Sequence, residues 1–479
     1  MGTTFVVVGG DAAGLSAAGK AKRDAPDTDV VVFERGDWVS YGACGLPYYV
    51  EGRIAALSDL QVLEPRRIIE DRGIDLRRHH EVTAVDPDAR TVTVDGDDGE
   101  YEESYDVLLL ATGGTATVPD VPGADLAGVF SIRSLEAGRA LKHYLAPHDA
   151  PPPRQTPTDE ATALLEHFED RDPRTVGVVG ANKIGIELAE AFLGRGLQVH
   201  LFDESARVLP SFGADVAGTV EERLREGGLE LHLETAVQGF PGEDGRVAGV
   251  ETADGVVPVD AVVADVGVEP AVELATDAGI DLGPTGAIAT DEYGRTQDSR
   301  VYAAGDCAEK RHLLTGDPVH WPFALAANRA GRAVGRTIAG RPTPVGGVVG
   351  TLVMKAMGLQ VARTGIVDHE EARGAGYDPV SALVTTITRA HYYPGWSRMV
   401  VHATADAESG RLLGANMVGE EGAAHRINSV AAAVTAGMTV TDAGMLDFGY
   451  APPFGPVWDP VLGVAKVLDE KLSTGAESG

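Results

Sequence analysis

A chain of 479 residues with 72 acidic and 40 basic side chains is too long for one ordinary core and lacks the basic patches a polyanion binder needs, so two to four domains and no nucleic-acid partner are expected. The net charge of -32 is spread along the chain, and arginine outnumbers lysine; self-repulsion of this kind is screened by salt, which points to a halophilic cytoplasm. Two cysteines, Cys44 and Cys307, cannot build a disulfide framework, and neither stands in a C-x-x-C or a His/Cys cluster at metal spacing, so no metal is expected.

Residues 5–8 form an apolar strand with no basic leader before it, and no apolar run is long enough to span a bilayer, so a cytoplasmic protein without membrane contact is expected. The strand runs into a glycine-rich turn at 9–14, an alanine-rich helix to about Arg23 and a second strand at 30–33 that ends at Glu34. In such a βαβ unit, backbone N–H groups of the turn approach a pyrophosphate at the positive helix end, and the acidic residue accepts from ribose hydroxyls. Gly9, Gly14 and Glu34 fit these roles, whereas Asp11 takes the middle glycine position, where a carboxylate is awkward beside a phosphate. The segment Ser40-Tyr41-Gly42-Ala43-Cys44-Gly45-Leu46-Pro47-Tyr48-Tyr49 follows. Leu46-Pro47 can start a helix there, with Cys44 near its positive end, a place that favours a thiolate.

Leu110-Ala111-Thr112-Gly113-Gly114 then follows a strand, and residues 146–174, with Pro151-Pro152-Pro153 and mixed charge, read as a linker or insertion with a short helix at 162–168. The βαβ pattern repeats as a strand at 175–179, a turn at 180–185, a helix through Phe192 and a strand at 198–202 closed by Asp203. Asn182 holds the middle position of this turn; asparagine tolerates positive φ, so the turn survives the substitution. Val301-Tyr302-Ala303-Ala304-Gly305-Asp306 is the fourth motif. After Gly340-Arg341-Pro342 the pattern shifts to apolar stretches at 382–387 and 399–403 and a helix near 427–436, a separate α+β domain.

The order of these four motifs, over residues 1 to about 335, resembles the flavoprotein disulfide reductases of the pyridine nucleotide-disulfide oxidoreductase family. The resemblance implies an α/β fold with two Rossmann-like dinucleotide-binding domains, for FAD and NAD(P), and a C-terminal α+β dimerisation domain. The expected boundaries are 1–118 and 260–340 for FAD, 119–259 for NAD(P) with the insertion near 146–174, 341–471 for dimerisation, and a flexible tail at 472–479. FAD is implied at Gly9, Gly10, Ala13, Gly14, Glu34, Arg35, Val82, Ala111, Thr112, Gly113, Gly267, Gly305 and Asp306, and the pyridine nucleotide at Gly180, Gly185, Glu187 and Asp203. Asp203 repels a 2′-phosphate, so NADH is expected to be preferred, with NADPH left open by the nearby Arg207. Residues 263–270 look like a second crossover between the domains, with Glu269 where the family often has a basic residue.

A lone Cys44 resembles the single-cysteine branch, which comprises coenzyme A disulfide reductases, NADH oxidases and NADH peroxidases. Segments 350–355, 389–395 and 450–454 look like the family's dimerisation domain, which implies a homodimer in which Tyr392 and Tyr450 reach the cysteine of the opposite subunit. A phenol there can donate a proton or hydrogen bond to a departing thiolate. Cys307 is assigned to packing. Oxidases and peroxidases of the branch carry a histidine in the first glycine loop where Ala12 stands, which favours disulfide or persulfide reduction. Ser16, Lys20, Arg23 and Ser40 match the channel for a coenzyme A nucleotide, while Ala43 stands where asparagine often precedes the cysteine and Lys183 where tyrosine is common. The implied activity is an FAD-dependent NAD(P)H:disulfide oxidoreductase acting through Cys44, with coenzyme A disulfide the favoured substrate. NADH oxidase and persulfide or polysulfide reductase are the enzyme alternatives, and a non-catalytic NADH-sensing flavoprotein is the alternative from another class.

Overall fold

The structure, a computed structural model, describes residues 2–146 and 172–476. Its first sheet is parallel throughout, in the order Val301–Ala303, Val107–Leu110, Thr4–Val8, Asp29–Glu34, Asp75–Arg78. Strands covered on both faces need no polar alternation, which is why these segments read as unbroken apolar runs. Phe5 and Val7 pack under the helices Ala12–Asp24 and Ala324–Ile338, while Val6 and Val8 pack under the antiparallel strands Glu81–Asp86, Thr91–Gly96 and Gly99–Ser104.

The two covering helices meet backbone to backbone. A Cβ on Gly331 would lie 2.1 Å from the carbonyl of Ala13, and one on Gly335 would lie 2.4 Å from that of Ala17. Only glycine permits this approach, and it clasps the N-terminal helix with a segment more than three hundred residues away in the chain.

The second sheet is also parallel, in the order Glu230–His232, Gln198–Phe202, Thr175–Val179, Ala261–Ala264, Val129–Phe130. This corrects the expected return to the FAD domain at 260, because Ala261–Ala264 still pairs with Thr175–Val179. Four small apolar residues suit either sheet, and only tertiary pairing decides between them. The chain crosses back just afterwards, where Val268–Pro270 pairs antiparallel with the outgoing Gly114–Ala116. Most of the expected insertion, at 147–171 and including the helix at 162–168, lies outside the described residues.

The C-terminal unit is an antiparallel sheet of Leu352–Ala356, Leu359–Gly365, Leu412–Gly419, Arg398–Asp406 and Pro379–Ile387, with the helices Ala423–Ala436 and Pro460–Ala476 packed against it. The last helix continues to Ala476, so residues 472–476 are helical rather than part of the expected flexible tail; 477–479 lie outside the described residues. Among the described residues, no helix is long and apolar enough to cross a membrane.

Candidate active site

The first glycine turn is shaped by close contact. Gly9 has φ +111°, and a Cβ there would lie 2.2 Å from the carbonyl of Ala111; a Cβ on Gly14 would lie 1.9 Å from the carbonyl of Gly9. Glu34 closes the turn, its Oε2 accepting from the N–H of Gly10 and its Oε1 from that of Gly36, each at 2.8 Å. Opposite, Asp306 Oδ2 accepts from Arg133 at 2.5 Å, and Asp306 Oδ1 is buried with no hydrogen-bond partner among the described residues. Beneath it, Lys310 donates from a buried Nζ to the carbonyls of Gly305 (2.5 Å) and Ala308 (2.9 Å). An orphaned acceptor lining a cleft has room for a hydroxyl donor, so these residues fit the ribitol of FAD. The same cleft is lined by Gly9, Gly10, Ala13, Glu34, Arg35, Val82, Ala111, Thr112, Gly113, Gly267, Gly305 and Asp306, whereas Gly14 sits behind the turn, buried.

Asp11 is not the defect its position suggests. Its Oδ1 accepts from the N–H of Tyr41 at 3.0 Å, and the carbonyl of the neighbouring Gly10 accepts from Ser40 at 3.1 Å. The turn thus latches the start of the cysteine loop, where Ser40 takes an unusual φ of +50°. Burial pushes the Asp11 carboxyl up to about 6, against the lowering pull of the Tyr41 and Ala12 N–H groups. Beyond the latch, Ala43–Gly45 forms one 3₁₀ turn and Leu46–Glu51 a short helix with proline in its first turn, as the sequence predicts. Cys44 is exposed and lines the same cleft.

The second turn repeats the plan. Gly180 has φ +110°, with the Asp265 carbonyl 2.3 Å from where a Cβ would stand, and Gly185 would collide with the Gly180 carbonyl at 1.9 Å. Asp203 does here what Glu34 does in the first turn, accepting from the N–H of Ala181 at 2.6 Å and from that of Ser205 at 2.7 Å. Asn182 corrects the expectation of a left-handed residue. Its φ is -87°; it caps the helix, its Oδ1 accepting from Ile184 (2.9 Å) and Gly185 (3.0 Å), while its Nδ2 donates to the Asp265 carbonyl at 2.7 Å. Gly180, Gly185 and Asp203 do not line the Cys44 cleft, but Asn182, Lys183 and Glu187 do.

Glu187 lies 3.5 Å from the hydroxyl of Tyr48, one turn beyond Cys44. Burial raises the carboxyl of Glu187, and the charge of Lys183 is the largest force opposing that rise, which gives Lys183 a physical role the sequence does not reveal. Burial, reinforced by Glu187, pushes the Tyr48 phenol up to about 12.

Ser16, Lys20, Arg23 and Ser40 all line the Cys44 cleft. The Lys20 ammonium is already paired with Asp24 at 2.7 Å, which weakens its expected role toward a phosphate, and Ser16 donates to Asn328 at 2.7 Å. Besides Arg133, three further arginines missed in the sequence line the cleft: Arg72, and Arg329 and Arg332 from the helix Ala324–Ile338; the two segments lie far apart in the chain, so no local motif marks them. Tyr392 and Tyr450 share a hydroxyl–hydroxyl hydrogen bond of 2.7 Å, and both are exposed. Neither lines the Cys44 cleft of its own chain. Close to them in sequence, Trp396, Met445 (82%), Phe454 (79%), Val457 and Trp458 are large apolar side chains that are exposed as well. Cys307 is fully buried, with Sγ 3.5 Å from the carbonyls of Leu110 and Ala304, and serves packing as expected.

Residues 3–329 match the family model described as pyridine nucleotide-disulphide oxidoreductase, and residues 353–460 match the dimerisation domain of the same family. The chain is 40% identical over 464 residues, 97% of its length and 98% of the relative's, to a protein of Pyrococcus furiosus named NAD(P)H sulfur oxidoreductase (CoA-dependent). It is 31% identical over 472 residues, 98% of its length and 99% of the relative's, to a protein of Methanocaldococcus jannaschii named NADH oxidase. Among solved structures, an NAD-dependent persulfide reductase from A. fulgidus superimposes with a TM-score of 0.89 at 33% identity, covering 98% of this chain and 84% of that one. With both family models matched across its two nucleotide turns and its C-terminal sheet, the chain belongs to the pyridine nucleotide-disulphide oxidoreductase family and is an FAD-dependent NAD(P)H oxidoreductase carrying that family's dimerisation domain.

Proposed function

We propose that this protein is an NAD(P)H-dependent reductase of coenzyme A-linked sulfur, with coenzyme A disulfide as the leading substrate and the persulfide of the same thiol as the alternative. The observation that carries the reading is one continuous cleft lined together by Cys44, by residues shaped for FAD and by Arg23, Arg72, Arg329 and Arg332. Guanidinium groups suit the phosphates of a coenzyme A nucleotide. The names of the P. furiosus and A. fulgidus relatives, which specify sulfur and persulfide chemistry, support the same class.

Bound FAD supplies the two-electron relay from NAD(P)H, held by Glu34, Asp306 and the first glycine turn. The Cys44 thiolate attacks one sulfur of the substrate, the S–S bond breaks, and the other half departs as a thiolate, leaving Cys44 in a mixed disulfide. The phenol of Tyr450 of the partner subunit, bonded to Tyr392 of the partner subunit, gives the departing thiolate a hydrogen bond or proton. Over the cycle, NAD(P)H, one proton and the disulfide become NAD(P)⁺ and two thiols. Assembly into a homodimer would cover exposed apolar side chains of the C-terminal unit and complete two equivalent sites. Asp203 favours NADH.

The M. jannaschii relative's name supports oxygen reduction as a second reading, and Ala12 speaks against it. An anaerobic panel of coenzyme A disulfide, coenzyme A persulfide and glutathione disulfide with NADH and NADPH separates them. Turnover of the coenzyme A substrates at least tenfold above glutathione disulfide in kcat/KM is expected. NADH oxidation that needs oxygen and ignores every sulfur substrate would overturn the proposal.

A further inference from the structure

On the outer edge of the second sheet, far in sequence from Cys44, two histidines and a glutamate meet. The strand register sets His200 opposite Glu230 and Phe202 opposite His232. Because side chains alternate along a strand, His200 shares a face with Phe202, and Glu230 with His232, so all three polar groups project to the same side. His200 Nδ1 lies 3.1 Å from His232 Nε2 and 3.4 Å from Glu230 Oε2, and the three ligand atoms lie within 4.8 Å of one another.

Hydrogen bonding alone serves this cluster poorly. Both neighbours approach the same nitrogen of His200, which carries at most one proton. If that proton goes to His232, Glu230 Oε2 gains no donor from the pair; if it goes to Glu230, His232 Nε2 gains none from His200; if His232 donates instead, the carboxylate faces the lone pair of His200. A cation placed among them satisfies all three at once. For metal–ligand distances of about 2.0–2.1 Å, the ligand atoms of a tetrahedral site stand about 3.3 Å apart, and the observed 3.1 and 3.4 Å bracket that value.

The rings are also held in place. His232 stacks on the buried ring of Phe202 at 4.5 Å with planes 11° apart, and lies 5.3 Å from the ring of His200. Glu230 is exposed and leaves a path from solvent.

We infer that His200, Glu230 and His232 form a site for a divalent transition metal, zinc by the preference of two imidazoles and a carboxylate. The sequence gives no warning of it, because the ligands lie on two paired strands and a search keyed to cysteine spacing passes over them.

The test uses FAD-loaded, tag-free protein carrying Cys44→Ser, which removes the exposed thiolate as a competing ligand. Equilibrium dialysis against zinc buffered in the micromolar range, with metal counted by mass spectrometry, is expected to give one zinc per chain. Affinity should fall at least tenfold in His200→Gln and His232→Gln and more mildly in Glu230→Gln, with FAD content reporting that each variant is folded. X-ray absorption of the zinc-loaded Cys44→Ser protein needs no further variant and should show the scattering pattern of imidazole. No stoichiometric zinc, binding undiminished in both histidine variants, or a zinc shell without imidazole would overturn the inference.

Discussion

Asp11→Asn removes a buried negative charge while keeping an oxygen for the N–H of Tyr41. The carboxyl titrates at about 6 rather than at its ordinary 3.8, raised chiefly by burial. At about 1.4 kcal/mol per tenfold, that difference makes an ionised Asp11 cost the folded protein on the order of 3 kcal/mol. Below pH 3.8 the acid is protonated in both folded and unfolded chains and the cost is absent. As the pH rises from 3.8 toward 6, the unfolded chain releases the proton first, stability is lost, and above about 6 the loss is complete. The asparagine variant should therefore match the wild type near pH 4 and exceed it in stability above pH 6. Unfolding of the holoenzyme followed by flavin fluorescence across that range measures the difference. An advantage that is absent at pH 7.5, or undiminished at pH 4, would refute this account of the latch. Asp11→Ala, which also strips Tyr41 of its acceptor, should lose about 1–3 kcal/mol relative to the asparagine variant and slow disulfide turnover.

Cys44→Ser should lose nearly all disulfide reduction while NADH still bleaches the flavin under anaerobic conditions, which stopped-flow absorbance reads directly. Dimers that pair a Cys44→Ser chain with a Tyr450→Phe chain should regain about half of the wild-type activity, since one of the two symmetric sites is then intact; verified heterodimers with no recovery would assign both residues to one chain's site. Asp203→Ala should narrow the preference for NADH over NADPH measured as kcat/KM, and should also loosen the turn that Asp203 bonds at Ala181.

The two glycine turns were legible because close approach leaves only glycine at Gly9, Gly14, Gly180 and Gly185, whatever surrounds them. Asp11 and Asn182 were legible as departures but not in their effect, since each acts through a partner the chain brings from elsewhere: Tyr41 for the first, the Asp265 carbonyl for the second. The boundary near 260 failed for a related reason. Ala261–Ala264 carries no local mark of the sheet it joins. Arg72 converges on the cleft with Arg329 and Arg332 of a helix more than two hundred residues away, and a surface arginine looks the same in sequence whether or not it faces a substrate.

The glycine clasp between the first helix and Ala324–Ile338 bears on how the protein is made. On a ribosome, Thr4–Val8 and Val107–Leu110 emerge long before Val301–Ala303 and the clasping helix, which complete their sheet and cover it. At the usual rate of synthesis, the two hundred or so intervening residues take on the order of 10–50 s. The second sheet, whose strands fall between Val129 and Ala264, can close during that interval. The nascent chain must therefore carry a half-built, apolar first domain while a complete second one forms behind it, and a substitution at Gly331 or Gly335 would act at the end of that wait, when the last helix arrives and finds no room.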